Sequence, residues 1–346
     1  MSAKGVFLSL LFALTMIASC SEPPPAQTLR ILTWPGYADE DLVRTFEKRY
    51  NAHVEVTFIN TDDELWARAN QNNGQDFDLL AANTAELQRY VGNGISVPID
   101  LNQIPNTKTQ LPRFRNLESI PGIARDGKIF AIPYTYSTMG LIYNKQILQE
   151  PPNTMAAMWD SNFQGKVLAY DGSSHNFTIA ALIMGLEDPF NLSSEQWPDV
   201  GRKLVELRRN VLTFYSAPEE ALELFKSNDI ALIFGNYGAQ QVKQLRDAGA
   251  DVGYVTVDEG TLAWLDCWTI TKGAKDLKLA HKWINYTLEK SVSEALSHRQ
   301  GLPNTVTPSN IIDDTDKIIW LEPVEDFEKR SVLWQKIRSG DRLDSF

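Results

Sequence analysis

Apolar and β-branched residues recur along this chain in short runs, separated by stretches with helical spacing. Residues 28–33 read as a first strand. It runs into Trp34-Pro35-Gly36-Tyr37, where Pro and Gly force a turn and leave two aromatics at a strand end. Leu42, Phe46 and Tyr50 share one side of a helix over 39–50, and a second strand follows at 54–58. A second helix at 62–71, a third strand at 78–82 and a third helix at 84–91 repeat the pattern. Strands alternating with helices predict a parallel sheet in an α/β domain, whose ligands bind beyond the carboxyl ends of the strands. The turns at 34–37 and 82–84 both lie there.

Further on, strands are expected at 129–134 and 139–144, around a hydrophilic bend at 135–138 that predicts a crossing between domains. A strand at 166–170, a polar turn at 171–176 and an apolar helix at 177–185 come next. Helices at 199–210 and 218–227, a strand at 230–234, the turn Gly235-Asn236-Tyr237-Gly238 and a strand at 252–257 complete this part. The chain then reaches Leu262-Ala263-Trp264-Leu265-Asp266-Cys267-Trp268-Thr269-Ile270, an apolar run of β-formers. Side chains alternate along a strand, so Trp264, Asp266 and Trp268 should share a face. A lone carboxylate between two indoles is costly unless a cation meets it. Either a Lys, Arg or amide of the protein does so, or the strand is half of a cage for an organic cation, held by ring faces and one carboxylate. Helices at 277–288 and 291–299, a break at 301–304 and a helix at 323–339 close the chain.

Composition narrows the function. A chain of 346 residues can hold two domains with proper cores, and 43% hydrophobic with 22% charged residues is ordinary for a globular protein. Nine Trp are many, and several stand beside turn or acidic residues. The net charge of −11, with no basic run, excludes nucleic acid as an expected partner. At the start, Lys4 precedes an apolar stretch at 6–18 that ends in Ile17-Ala18-Ser19-Cys20. This looks like a signal peptide with a bacterial lipobox, so residues 1–20 are a targeting segment whose Cys20 becomes the lipid anchor, and 21–27, with three prolines, form a tether. The expected location is the periplasm or cell envelope, lipid-anchored through Cys20. Cys267 then has no partner for a disulfide and is expected as a small core hydrophobe.

Catalysis finds little support. The four His, at 53, 175, 281 and 298, show no metal-ligand spacing. Ser173-Ser174-His175 are sequence neighbours, poorly placed as nucleophile and base, and there is no G-x-S-x-G elbow, Walker loop or dinucleotide fingerprint. No enzyme activity, cofactor or metal is expected.

Together the lipobox, the strand leading to Trp34-x-x-Tyr37, the Trp264-x-Asp266 strand and the terminal Arg330-Ser331-Val332-Leu333-Trp334-Gln335-Lys336-Ile337-Arg338 helix carry a resemblance. The chain resembles the spermidine/putrescine-binding proteins of ABC importers, diffusely and from about residue 28 to 342. The resemblance implies a two-lobed, type II periplasmic-binding-protein fold that captures a polyamine or related amine by lobe closure. It implies a cleft lined by Trp34, Tyr37, Trp264 and Asp266. It also implies an ABC permease as partner, or a membrane sensor served by the same clamp, and a monomer. With crossings at 135–138 and 262–264, the lobes are expected at 28–134 with 264–304 and at 135–263 with 305–346.

The departures from the family pattern bear on the ligand. An acidic residue tends to stand where this chain has Pro35-Gly36, and a Ser-Thr pair where it has Asn83-Thr84. Of the carboxylates after the first strand of the second lobe, only Asp171 is present. The tryptophan of the second lobe's strand-end turn falls at Phe234 or Tyr237, and an aromatic near the Gly-x-Pro break is Leu302. A desolvated cation–π contact contributes about 2 kcal/mol and a charge-assisted hydrogen bond about 1.5–3. Two or three rings and Asp266 would therefore hold one ammonium at roughly micromolar affinity. A second ammonium needs its own carboxylate, so a monoamine, a quaternary amine or an amino-acid-like zwitterion fits these losses better than spermidine does.

Overall fold

The computed structural model describes residues 27–59, 61–309 and 317–340. Cys20 and the tether before Gln27 lie outside them. The first part of the chain forms β1 (Gln27–Thr33), α1 (Glu40–Tyr50), β2 (Ala52–Phe58), α2 (Asp62–Asn70), β3 (Leu79–Asn83) and α3 (Thr84–Gly92). The short β4 (Ser96–Val97), β5 (Ala124–Arg125) and β6 (Lys128–Ile129) lead into the long β7 (Ala131–Thr138). The second part holds β8 (Leu141–Asn144), β9 (Val167–Tyr170), α4 (Ser173–Ile183), α5 (Trp197–Asn210), β10 (Thr213–Tyr215), α6 (Pro218–Ser227), β11 (Leu232–Phe234), α7 (Gly238–Asp247) and β12 (Val252–Val255). The chain returns through β13 (Thr261–Thr271), α8 (Leu277–Thr287) and α9 (Lys290–Gln300), and ends in β14 (Ile318–Trp320) and α10 (Phe327–Ser339).

Two sheets organise these elements. The first has the order β14-β13-β3-β1-β2, with β7 and β4 also paired to β13. Within it β1, β2 and β3 are parallel, and β13 runs antiparallel to β3 and β7. The second has the order β10-β9-β11-β8-β12, in which β9, β10 and β11 are parallel. Each sheet has its own apolar core, one built on Leu29 to Tyr136 and Leu265 to Leu302, the other on Met139 to Leu262 with Trp334 and Ile337. Residues at or just after the carboxyl ends of β3 and β9, Asn83, Tyr170 and Asp171, line one cleft, in keeping with a two-lobed periplasmic-binding-protein architecture.

Local chemistry accounts for most boundaries. Thr61 accepts from the Glu64 N–H to cap α2, Asn83 accepts from the Glu86 N–H to cap α3, and Asp326 accepts from the Lys329 N–H to cap α10. The helix of α5 opens on Trp197-Pro198 and carries Arg208 and Arg209 in its last turn. Cys267 is fully buried in the first core.

Several expected boundaries move. Residues 135–138 are not a bend but the buried end of β7. Their hydroxyls make this burial tolerable: Thr135 donates to the Pro303 carbonyl at 2.7 Å, Ser137 accepts from the Ala239 N–H at 3.1 Å, and the Thr138 and Tyr254 hydroxyls meet at 2.6 Å. The chain turns only at Met139 and Gly140. Residues 173–176 are the first turn of α4 rather than a polar loop, because Ser, Asn and His are tolerated where the first N–H groups lack intrahelical partners. The terminal helix begins at Phe327, and the apolar residues before it add β14 to the first sheet. Thr305 also stands with the first sheet, donating its N–H to the Tyr134 carbonyl.

Candidate ligand cleft

The site begins where β1 ends. Trp34 donates its ring N–H to the Ala81 carbonyl at 3.2 Å, which lays the half-buried indole across the neighbouring strand end. Gly36 has φ 87°, and a Cβ there would come within 2.5 Å of the Gln300 side chain, so the turn needs glycine. That turn swings Tyr37 back under the sheet end, where it meets Tyr134 and Trp268 edge-on with centroids 5.5 and 6.5 Å away.

The Tyr37 hydroxyl donates to Oδ2 of Asp266 at 2.6 Å. Asp266 lies in the middle of β13, paired with Asn83 of β3 on one side and Thr135 of β7 on the other. The pairing with β7 then steps from Thr135 to Pro133, a bulge that skips Tyr134. Only 6% of Asp266 is exposed. Burial pushes its pKa up to about 7, and the Tyr37 hydrogen bond pulls the other way without restoring the ordinary value. Burial first, and then the Asp266 charge, holds the Tyr37 hydroxyl well above its usual range. Among the described residues Tyr37 is the only side chain bonded to Asp266, and no Lys or Arg pairs with it. Trp264, two residues earlier, is half-buried and packs against both cores, donating its ring N–H to the Asn236 carbonyl of the second lobe at 3.3 Å.

A cleft of about 860 Å³ reaches Asn83, the strand partner of Asp266, while Trp34, Tyr37, Trp264 and Asp266 themselves are not among its lining residues. Thr61, Asp62 and Asn83 form its first-lobe wall, and Tyr170, Asp171 and the start of α4 its second-lobe wall, with Trp334 and Arg338 of α10. Asp171 is spoken for: Trp334 donates its ring N–H to Oδ1 at 2.8 Å, and Arg338 pairs with Oδ2 at 2.5 Å. Tyr170 stands next to it, its hydroxyl pushed up to about 12 by burial and, less strongly, by the charge of Asp62.

Other expected residues take different parts. Asn83 uses its side chain within the wall, donating to Asp62 at 3.0 Å while capping α3. Thr84 is fully buried and donates to the Leu321 carbonyl at 2.9 Å, tying α3 to the segment that leads into α10. Phe234 does not reach the cleft. It sits in the middle strand of the second sheet, covered on both faces and fully buried, so its ring has no surface to offer a ligand. Tyr237 is half-buried and donates to the Ser216 carbonyl at 2.7 Å, its ring edge-on to Tyr170 with centroids 5.9 Å apart. Leu302 is buried in the first core.

Sequence reasoning missed Asp62, Tyr170, Trp334 and Arg338 as wall residues. For the last two a signal existed: they lie four apart on one helix, hence on one face. Nothing local shows that this face meets Asp171. No helix among the described residues is long and apolar enough to cross a membrane.

A family model, bacterial extracellular solute-binding protein, matches residues 41–317. The spermidine/putrescine-binding periplasmic protein 1 of Haemophilus influenzae is 25% identical over 280 residues, 80% of this chain and 75% of that protein. The putrescine-binding periplasmic protein PotF of Escherichia coli is 24% identical over 290 residues, 78% and 76% of the two chains. A solved structure described as a putative spermidine/putrescine ABC transporter from Listeria monocytogenes superposes with a TM-score of 0.76 at 21% identity, covering 90% of this chain and 99% of that one. With a match running from α1 to the start of β14 and a cleft between two lobes, this chain belongs to the bacterial extracellular solute-binding proteins.

Proposed function

We propose that this protein is the substrate-binding component of an ABC importer, taking up an organic amine by closing its two lobes around it. The observation that carries this reading is Asp266. A carboxylate held in the middle of β13, nearly out of water and with no cation paired to it among the described residues, is unfavourable in the empty protein and is relieved by a ligand ammonium. Trp34, Tyr37 and Trp264 are the rings we assign to meet the alkylammonium there, Tyr37 already bonded to the carboxylate. The curated relatives named above bind putrescine or spermidine, which supports an amine as the ligand class. The lobes we propose are 28–134 with 264–304 and 135–263 with 305–346. The change of core between Tyr136 and Met139 and again between Leu262 and Leu265 supports this division, although Thr305 and β14 pair with the first sheet. The lipobox at Cys20 supports anchoring to a membrane of the cell envelope.

Calorimetric titration of the mature protein with butylamine, putrescine and spermidine tests the reading. At least one amine should bind near micromolar affinity, and Asp266→Asn should weaken that binding by about 2–5 kcal/mol. Failure of every amine to bind, or binding that ignores Asp266→Asn, defeats it.

A further inference from the structure

The first-lobe wall of the cleft carries an acid that residue order does not single out. Asp62 is the first residue of α2, where a helix N-terminus favours the ionised carboxylate. Asn83 ties it to Asp266. The Asn83 side-chain amide donates to Oδ1 of Asp62 at 3.0 Å, and Asn83 is the register partner of Asp266. Directly opposed residues of paired strands point their side chains to the same face, with Cβ atoms about 5 Å apart. Asp266 and Asp62 are therefore both neighbours of one side chain, and that side chain and Asp62 line the cleft.

The electrostatics agree with this closeness. Burial is the main reason the Tyr37 hydroxyl lies well above its usual range; the charge of Asp266 adds to it, and that of Asp62 adds further. On the facing wall, Asp62 is the largest influence after burial on the Tyr170 hydroxyl. Its charge thus reaches both the hydroxyl that bonds Asp266 and the second lobe.

The cations of the lining are already engaged. Arg89 pairs with Glu86 at 3.3 Å and lies over the Trp66 ring at 3.8 Å, and Arg338 pairs with Asp171 at 2.5 Å. His175, lowered to about 4 by burial and then by the charge of Arg330, is neutral at neutral pH. Glu322 and Glu328 are exposed in the same lining, so its acids outnumber its cations and a cationic ligand is favoured there.

We propose that Asp62 is a specificity-determining residue, whose carboxylate receives a second cationic group of a ligand seated at Asp266. This rests on the amine-binding reading above and deepens it: the first lobe holds both charges of a short diamine. A carboxylate accepts more than one hydrogen bond, so the Asn83 amide and an ammonium can share Asp62. A monoamine seated at Asp266 gains nothing from it.

Butylamine and 1,4-diaminobutane (putrescine) share a four-carbon chain and differ by one ammonium, so their titrations isolate the effect. The unaltered protein should bind putrescine about tenfold or more tighter than butylamine, as for one added charge-assisted hydrogen bond. Asp62→Asn, which keeps the size and an oxygen for Asn83, should remove that advantage and leave butylamine little changed. Asp62→Glu, which keeps the charge, should keep the preference for putrescine, and melting curves confirm that both variants fold. A purely structural role for Asp62 would weaken both amines alike. That outcome, or putrescine bound no tighter than butylamine by the unaltered protein, overturns the proposal while leaving an Asp266-dependent amine site standing. If neither amine binds the unaltered protein, this proposal and the amine reading fall together.

Discussion

Two carboxylates, Asp266 within β13 and Asp171 just after β9, stand in opposite circumstances. Asp266 is buried to 6% exposure and meets one neutral hydroxyl, whereas Asp171 meets an indole N–H and a guanidinium. The first is a charge left without its counterion, and burial lifts its pKa to about 7. The second has its counterion built in. An acidic residue in a binding cleft is therefore no sign of a cation subsite by itself. What matters is whether the fold has already supplied the partner.

Asp266→Asn breaks the comparison at its strongest point. It keeps the shape and removes the charge, and it should weaken the best amine ligand by about 2–5 kcal/mol, as for a buried charge that loses its partner. Because no cation among the described residues is stranded by the change, the melting temperature of the ligand-free protein should not fall. A large drop in melting temperature would mean that Asp266 has a structural partner after all.

Titration with pH sharpens the same point. The ligand-free fold holds a proton on Asp266 that the unfolded chain releases near its ordinary carboxylate pKa. This contribution to stability is complete below about pH 4 and is lost as pH rises through about 7. Its full size is on the order of 4 kcal/mol. Melting curves between pH 5 and 8.5 should show the loss in the unaltered protein and not in Asp266→Asn. Amine affinity should run the other way, climbing as pH rises to about 7, because the ligand needs the carboxylate. Affinity that falls over that window would contradict the assignment.

Tyr37→Phe should have an intermediate effect. It removes the one hydrogen bond that favours the ionised carboxylate, a bond to a charged acceptor of about 1.5–3 kcal/mol. The pH at which amine affinity reaches half its maximum should move upward, and an unmoved midpoint would show that the hydroxyl does not tune Asp266.

The smallest effect is expected at Asp171. Asp171→Asn breaks a half-exposed ion pair, the kind that contributes roughly 0–1 kcal/mol. Affinity for butylamine, read by titration, should change by less than tenfold. Loss of binding comparable to that of Asp266→Asn would erase the difference between the two acids.

Much of this molecule is legible in residue order, and the exceptions are instructive. The alternation of strand and helix through residues 28–92 appears in the fold nearly as its periodicity predicts, since period and capping residues act locally. The 135–138 stretch was misleading because Thr and Ser read as polar, yet they satisfy themselves against nearby carbonyls and N–H groups inside a sheet. Phe234 was placed at a strand end, and its depth in the sheet depended on which strands flank β11. Trp34, Tyr37, Trp264 and Asp266 stood out from turn chemistry and from one charge in an apolar strand.

From its own order the chain determines which segments are strands and helices, and that a lone carboxylate at 266 stands in an apolar strand among aromatics. These follow from side-chain type and local spacing. Only the tertiary structure decided which acids were already satisfied. Tyr37 reaches Asp266 across 229 residues of chain, and Trp334 reaches Asp171 across 163. A counterion is set by distance in space, and that distance is fixed by how α10 and β13 pack rather than by anything written beside either acid.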